Sequence, residues 1–285
     1  MRNIITRVIK FVRKQRAGKR LSLSEFEYVI REKLKVKEGS SILVHCSFGN
    51  LHAGFSPEDV VKTLMDIIGD QGNILMPFYP ASSSVVYDPD FIFNASNTRT
   101  RTGILSQVFS ENDEVRKSLH PIKALAVWGK DRDWLIAEHH RSKTPYDINS
   151  PYYRMVYLKG AKSIGLGVKK NTFVHCCEDV VEGYPTKYSE NSFLVKCVDH
   201  NGNGIEVSTP IHTGGNVGIG LCDYLRFTQC DVYRECYFRT RFFYEAEIPG
   251  TLEHIRRLTE KNLTKDVVEE RLGMLTKFLS SVGRV

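Results

Sequence analysis

The chain has 285 residues, 41% of them hydrophobic and 26% charged, with a net charge of +7. This balance supports a globular core that needs neither disulfides nor a metal to fold. The positive excess favours phosphorylated or otherwise anionic partners over polycations. The basic residues are dispersed, without an aromatic-interleaved stripe, so nucleic acid is not an expected partner. Seven cysteines without a repeated spacing, among them Cys222, Cys230 and Cys236, do not suit a zinc ribbon or finger. With no secretory leader to be read, reduced thiols and a cytoplasmic location are expected, with no metal ligands.

In chain order, residues 1 to 20 form a basic amphipathic pattern. Ile4, Ile5, Val8, Ile9 and Val12 recur at helical spacing, interrupted by Arg7, Lys10, Arg13 and Lys14. The charges break the apolar core that a signal peptide needs. The expectation is a helix packed on the body or on a second subunit, with peripheral contact to anionic membrane as the other use. No window has the length and apolarity of a transmembrane helix.

A second helix is predicted over LSLSEFEYVIREKLKV, capped by Ser24. Then SILVHC at 41 to 46 reads as a strand buried on both faces, followed by the Gly-rich loop SFGNLHAGF. Ser56, Pro57, Glu58 and Asp59 open a helix running to Gly69. ILMPF is the next buried strand, which completes a βαβ unit. Residues 80 to 100 are polar and read as a long functional loop. A short helix follows Thr102-Gly103, and a strand is predicted around 123 to 128. Later, Asn201-Gly202-Asn203-Gly204 marks a hairpin, RTRFFYEAEI a strand, and two helices close the chain. The predicted fold is a single α/β domain spanning 1–285, with a mixed central sheet flanked by helices. An antiparallel β extension is placed in its C-terminal half.

The segment NTFVHCCEDV, residues 171 to 180, carries the chemistry. On a helix Thr172, His175 and Glu178 share one face, three residues apart. A carboxylate one turn from an imidazole fixes its tautomer and stabilises the imidazolium, which is the arrangement of an oriented general base. Cys176 and Cys177 flank His175, but adjacent helical residues point about 100° apart, so a Cys–His nucleophile is the weaker reading. Two loops resemble anion sites at helix starts: His45 and Ser47 after the first strand, and Arg99, Arg101, Thr102 and Gly103 after the long loop.

Taken together these motifs resemble the aminoglycoside 3-N-acetyltransferase (antibiotic N-acetyltransferase) family. The matching pieces are ILVHCSF, GNILMPFY, RTGILSQVF, KSLHPIKALAVWG, TPYDINSPY and IGLGVKKNTFVHCCED, in the family's order over roughly residues 35 to 190. The resemblance implies acetyl-CoA as acetyl donor and direct transfer to a sugar amine, with His175 as base. Catalytic residues are then His175, Glu178 and Thr172. The cosubstrate is expected near His45, Ser47, Arg101, Thr102, Gly103, Ser118, His120 and Asn171, and the acceptor near Tyr79, Asp88 and Asp147. One departure bears on the acceptor: residues 81 to 101 carry only Asp88 and Asp90 against Arg99 and Arg101. This directs the expectation to a nucleotide-linked amino sugar of surface polysaccharide synthesis. An aminoglycoside is the alternative acceptor, and a non-catalytic binding module on the same fold the second alternative. The apolar N-terminal helix suggests a homo-oligomer.

Overall fold

A computed structural model describes residues 18–80, 87–185, 188–213 and 220–282, with side chains up to 274. The expected N-terminal helix lies almost wholly outside these residues, as does part of the 80 to 100 loop.

The βαβ unit forms the middle of the molecule. Strand β1 (Ser41–Cys46) leads through a short helix, α2 (Phe48–Leu51), to helix α3 (Pro57–Ile68) and strand β2 (Asn73–Phe78). Two features of α3 follow from its first turn. Ser56 and Asp59 cap each other's backbone N–H groups, and Pro57 takes a position whose N–H has no helical partner. The segment SFGNLHAGF, expected as loop, holds α2, whose end is set by His52 at φ 49.

Seven strands make the main sheet, in the order β4-β5-β2-β1-β6-β10-β9. The added members are β4 (Arg116–Lys117), β5 (Ala124–Gly129), β6 (Lys162–Leu166), β9 (Tyr233–Phe238) and β10 (Arg241–Glu247). Strand β1 is parallel to both β2 and β6, and the remaining pairs are antiparallel. Alternation along each strand divides the core between the two faces. Ile42, Val44, Ile74, Met76 and Ile164 join one cluster; Leu43, Leu75, Leu125 and Tyr244 join the other. Double-sided burial is why SILVHC and NILMPF read as continuous apolar runs.

Helix α1 (Leu23–Tyr28) and α4 (Ile104–Ser110) pack with α3 on the first face. Ser22, not Ser24, caps α1, because Glu25 stands three residues on and returns the bond to the Ser22 N–H. Beyond Tyr28 the helix loosens into a π turn, Val29–Lys33. The second face is covered by α7 (Phe173–Val180) and α9 (Ile248–Glu260); α5 (Arg132–Ile136), α6 (Pro151–Arg154), α8 (Leu221–Phe227) and α10 (Lys265–Val282) are the other α-helices among the described residues.

The antiparallel extension is a hairpin of β7 (Tyr188–Val198) and β8 (Gly204–His212), joined at Asn201 to Asn203. Asp199 accepts the N–H groups of Asn201 and Asn203, which holds the turn. A third strand, β3 (Ile92–Asn94), pairs parallel to β7. The polar stretch predicted as loop therefore contains a strand, because pairing to β7 supplies what its own sequence lacks. Among the described residues no helix is long and apolar enough to cross a membrane.

Candidate active site

Helix α7 begins where β1 and β6 end. The chain leaves β1 for β2 on one side, while β6 lies on the other, so this is the point where strand order reverses and α/β sheets bind ligands. Gly167, at φ +69, turns the chain out of β6. A Cβ there would meet Ser47 O at 3.0 Å.

His175 and Glu178 stand one turn apart on α7, and Nδ1 of His175 lies 2.6 Å from Oε2 of Glu178. Tyr184 donates to the other carboxylate oxygen at 3.2 Å. Burial alone would raise the Glu178 carboxyl, but the His175 hydrogen bond and charge outweigh it and hold the group below its ordinary value. Glu178 therefore stays ionised, accepts a hydrogen bond from Nδ1–H, and leaves the Nε2 lone pair to take a proton. The imidazole is 25% exposed and the carboxylate 12%, which suits a base that touches substrate and an orienter that does not.

Thr172 is the N-cap of α7, and its contact is inward. Its Oγ lies 2.8 Å from Nε2 of His45, and its backbone N–H donates to the same nitrogen at 3.1 Å. Nε2 therefore accepts, and Nδ1 of His45 carries the proton. Tyr244 stands 3.2 Å from that Nδ1 and donates its hydroxyl proton to Lys170 O. Burial pushes the His45 imidazole down to about 3, so it is neutral at physiological pH. Asn171 extends the same network: its Oδ1 accepts from Ser163 Oγ at 2.9 Å and from the Phe173 N–H at 3.2 Å. His45 and Asn171, expected beside the cosubstrate, thus fasten the start of α7 to the sheet.

A ladder of rings joins the SLHP segment, Ser118 to Pro121, to His175. Ser118 Oγ lies 2.8 Å from Nδ1 of His139, and His120 stacks on His139 at 4.7 Å. His139 meets Tyr152 at 6.4 Å, Tyr152 meets Tyr146 at 4.9 Å, and Tyr146 meets His175 at 5.6 Å. Ser118 and His120 are fully buried, so they stand behind this wall. The Tyr79 hydroxyl is 3.4 Å from that of Tyr146, and Lys123 Nζ lies 4.3 Å over the Tyr79 ring.

The 99 to 103 segment closes the end of β2. The Arg101 N–H donates to Tyr79 O at 2.9 Å, and Thr102 Oγ to Pro77 O at 2.7 Å, while Gly103 at φ 119 starts α4. Ser47 heads α2 without a side-chain capping bond. The carboxylates of Asp88 and Asp147 hold local turns: the first accepts the Asp90 N–H, the second those of Lys143 and Asn149.

Four residues around the base lie outside the expected site residues. Asp179, next to Glu178, accepts from Thr144 and Tyr188 at 2.6 Å each, and burial raises its carboxyl to about 6. His212 of β8 places its ring 5.3 Å from that of His175. Tyr146 and Tyr184 complete the group. The sequence offers a signal for two of them: Asp179 lies in the NTFVHCCEDV segment and Tyr146 in TPYDINSPY. Cys176 and Cys177 are fully buried, and burial pushes both thiols well above their ordinary range.

A family model of aminoglycoside 3-N-acetyltransferases matches residues 43–217. A curated relative, the SPbeta prophage-derived aminoglycoside N(3')-acetyltransferase-like protein YokD of Bacillus subtilis (strain 168), is 27% identical over 128 residues, covering 37% of this chain. The match spans under half, 46%, of that relative's length. The crystal structure of aminoglycoside acetyltransferase AAC(3)-Xa superposes with a TM-score of 0.73 at 15% identity, over 90% of this chain and 99% of that one. AAC-IIIb, as a binary complex with CoASH, gives 0.69 at 17% identity over 85% and 97%. The crystal structure of YokD from Bacillus subtilis gives 0.62 at 16% over 79% and 88%. At such identities the superpositions establish the fold, and the family match extends over more than half of the sequence. The chain belongs to the aminoglycoside 3-N-acetyltransferase family.

Proposed function

We propose that the protein transfers the acetyl group of acetyl-CoA to an amine of an amino sugar, with His175 as general base. The observation that supports this reading most directly is the 2.6 Å contact between His175 Nδ1 and a Glu178 carboxylate already tied to Tyr184. The amine attacks the thioester carbonyl, and Nε2 of His175 takes the amine proton. Collapse of the tetrahedral intermediate breaks the C–S bond, and the imidazolium returns the proton to the leaving thiolate. Base catalysis of this kind contributes ~10²–10⁴-fold. Tyr146, whose ring lies beside that of His175, and Tyr79, whose hydroxyl is 3.4 Å from that of Tyr146, supply hydroxyl donors for the oxyanion. Thr172 acts as a positioning residue through His45. Acetyl-CoA enters over the ends of β1 and β2, where Ser47, Arg101 and Thr102 lie; the CoASH complex of AAC-IIIb, a structure of the same fold, supports that cosubstrate.

The acceptor we favour is an aminoglycoside. Family membership supports it, and so does the pair of adjacent carboxylates, Glu178 and Asp179, beside the base. A nucleotide-linked amino sugar is the second reading, favoured by the +7 net charge. Acetyl-CoA consumption across aminoglycosides and nucleotide-linked amino sugars separates the two. Turnover confined to nucleotide-linked sugars would replace the first acceptor with the second. Thioester cleavage with no amine of either class, or full turnover by His175→Ala, would overturn the function itself.

A further inference from the structure

Beyond acetyl transfer, we propose that His175, Glu178 and His212 together bind a zinc-type transition-metal dication, and that the bound ion holds the enzyme inactive. The three side chains come from different parts of the fold, α7 and the end of β8. One ligand atom from each nevertheless lies within 4.8 Å of the others. Two imidazoles and one carboxylate are a donor set that zinc accepts, with a position left open. The hard cations magnesium and calcium prefer oxygen ligands and do not suit it.

The surroundings orient these donors as metal sites require. Tyr184 donates to the Glu178 oxygen that His175 does not use. The Tyr188 ring packs edge-on against His212 at 5.3 Å. All three ligands are partly exposed, so an ion reaches them from solvent.

Occupancy and catalysis exclude each other, a consequence that rests on His175 being the base. An ion on Nε2 takes the lone pair that accepts the amine proton. An ion on Nδ1 displaces the proton from the Glu178 hydrogen bond to Nε2, and the same lone pair is lost. Either way acetyl transfer stops until the ion leaves.

The test uses the full chain, freed of metal with a chelator and titrated with Zn²⁺. Binding is read by competition with a chromophoric chelator, and turnover by loss of the thioester. A second group of donors, Cys230, Asp231 and His254, also lies within reach of one ion, so Cys230→Ser is included to remove it from the stoichiometry. The expected result is about one equivalent bound by the Cys230→Ser chain, with inhibition following occupancy. His212→Ala should weaken both binding and inhibition at least about tenfold, each read against that variant's own metal-free turnover. Magnesium should do neither. Equal zinc inhibition of His212→Ala, no zinc bound by Cys230→Ser, or activation by zinc would overturn the proposal. Because binding is read apart from turnover, a failure of the base assignment would show as zinc bound without inhibition.

Discussion

Tyr244 reaches His45 across Gly165. The three residues stand in one row of the sheet, His45 on β1 paired to Gly165 on β6 and Gly165 paired to Tyr244 on β10. A Cβ on Gly165 would lie 2.0 Å from a carbon of the Tyr244 ring. Glycine is therefore what lets the ring cross, and the ring is what partners His45 and Lys170. Gly165→Ala should cost about 1–3 kcal/mol through overpacking and lower kcat together with stability. Tyr244→Phe keeps the ring and removes only the hydroxyl. It should lower kcat by about tenfold or more by loosening the Thr172 anchor, with the smaller loss in thermal midpoint. Unchanged kcat in both variants would separate the row from the chemistry.

Glu178→Gln tests the orienting carboxylate. An amide keeps the size of the side chain but presents no charge to the imidazolium, and its NH₂ group competes for the His175 tautomer. The expected loss in kcat is about 10²–10³-fold, with acetyl-CoA binding kept. Tyr184→Phe removes one donor to Glu178 and should cost about tenfold or less, since His175 still holds the other oxygen. A larger loss from Tyr184→Phe than from Glu178→Gln would assign the principal role to the tyrosine instead.

The parts of the site that lie close in sequence were legible, and those that depend on the sheet were not. His175 and Glu178 are three residues apart, and helical periodicity alone places them on one face. His45 and Thr172 are 127 positions apart, and only the pairing of β1 with β6 makes His45 a fastening for α7. Read locally, His45 beside a Gly-rich turn looked like an anion site. For Ser118 and His120 the resemblance implies a place near the cosubstrate, and the structure buries both against His139, behind Tyr152. The fold divides along the same line. Apolar runs and caps announced β1, α3 and β2, whereas β3 exists because β7 pairs with it, and β9 carried no clear alternation.

Stability should fall as the pH drops through the range from about 6.5 to about 3. His45 and His139 are each pushed down to about 3 by burial, and His120 is lowered for the same reason. In the folded chain they stay neutral, while the unfolded chain takes up their protons below about 6.5. A depressed folded pKa contributes stability present above the unfolded value and lost as pH falls through the folded one, up to about 5 kcal/mol for each of the first two. Asp179 acts with the opposite sign. Its carboxyl is raised to about 6, so its contribution is present below the ordinary aspartate range and lost as pH rises through about 6. Thermal midpoints from pH 3 to 8 should show the acid fall in wild type and in Asp179→Asn. Only the variant should lack the smaller loss between about 4 and 6. A flat profile below pH 6 would show that these histidines are not held neutral.

Replacing Cys176 or Cys177 by alanine should leave the chemistry in place. Their thiols are fully buried and held protonated by burial, whereas a nucleophilic cysteine needs its thiolate and access to the acyl donor. Direct transfer therefore predicts that each alanine variant keeps kcat within about threefold, because general-base catalysis makes no covalent use of the thiol. The cost should appear in stability instead, at about 1–2 kcal/mol for a small cavity in the cluster around Phe173 and Val174. Iodoacetamide applied to the native protein should leave activity intact, and initial-rate patterns should show a ternary complex. Loss of turnover in a folded Cys176→Ala or Cys177→Ala variant, together with ping-pong kinetics, would establish an acyl-thioester on the enzyme and make His175 the activator of a cysteine.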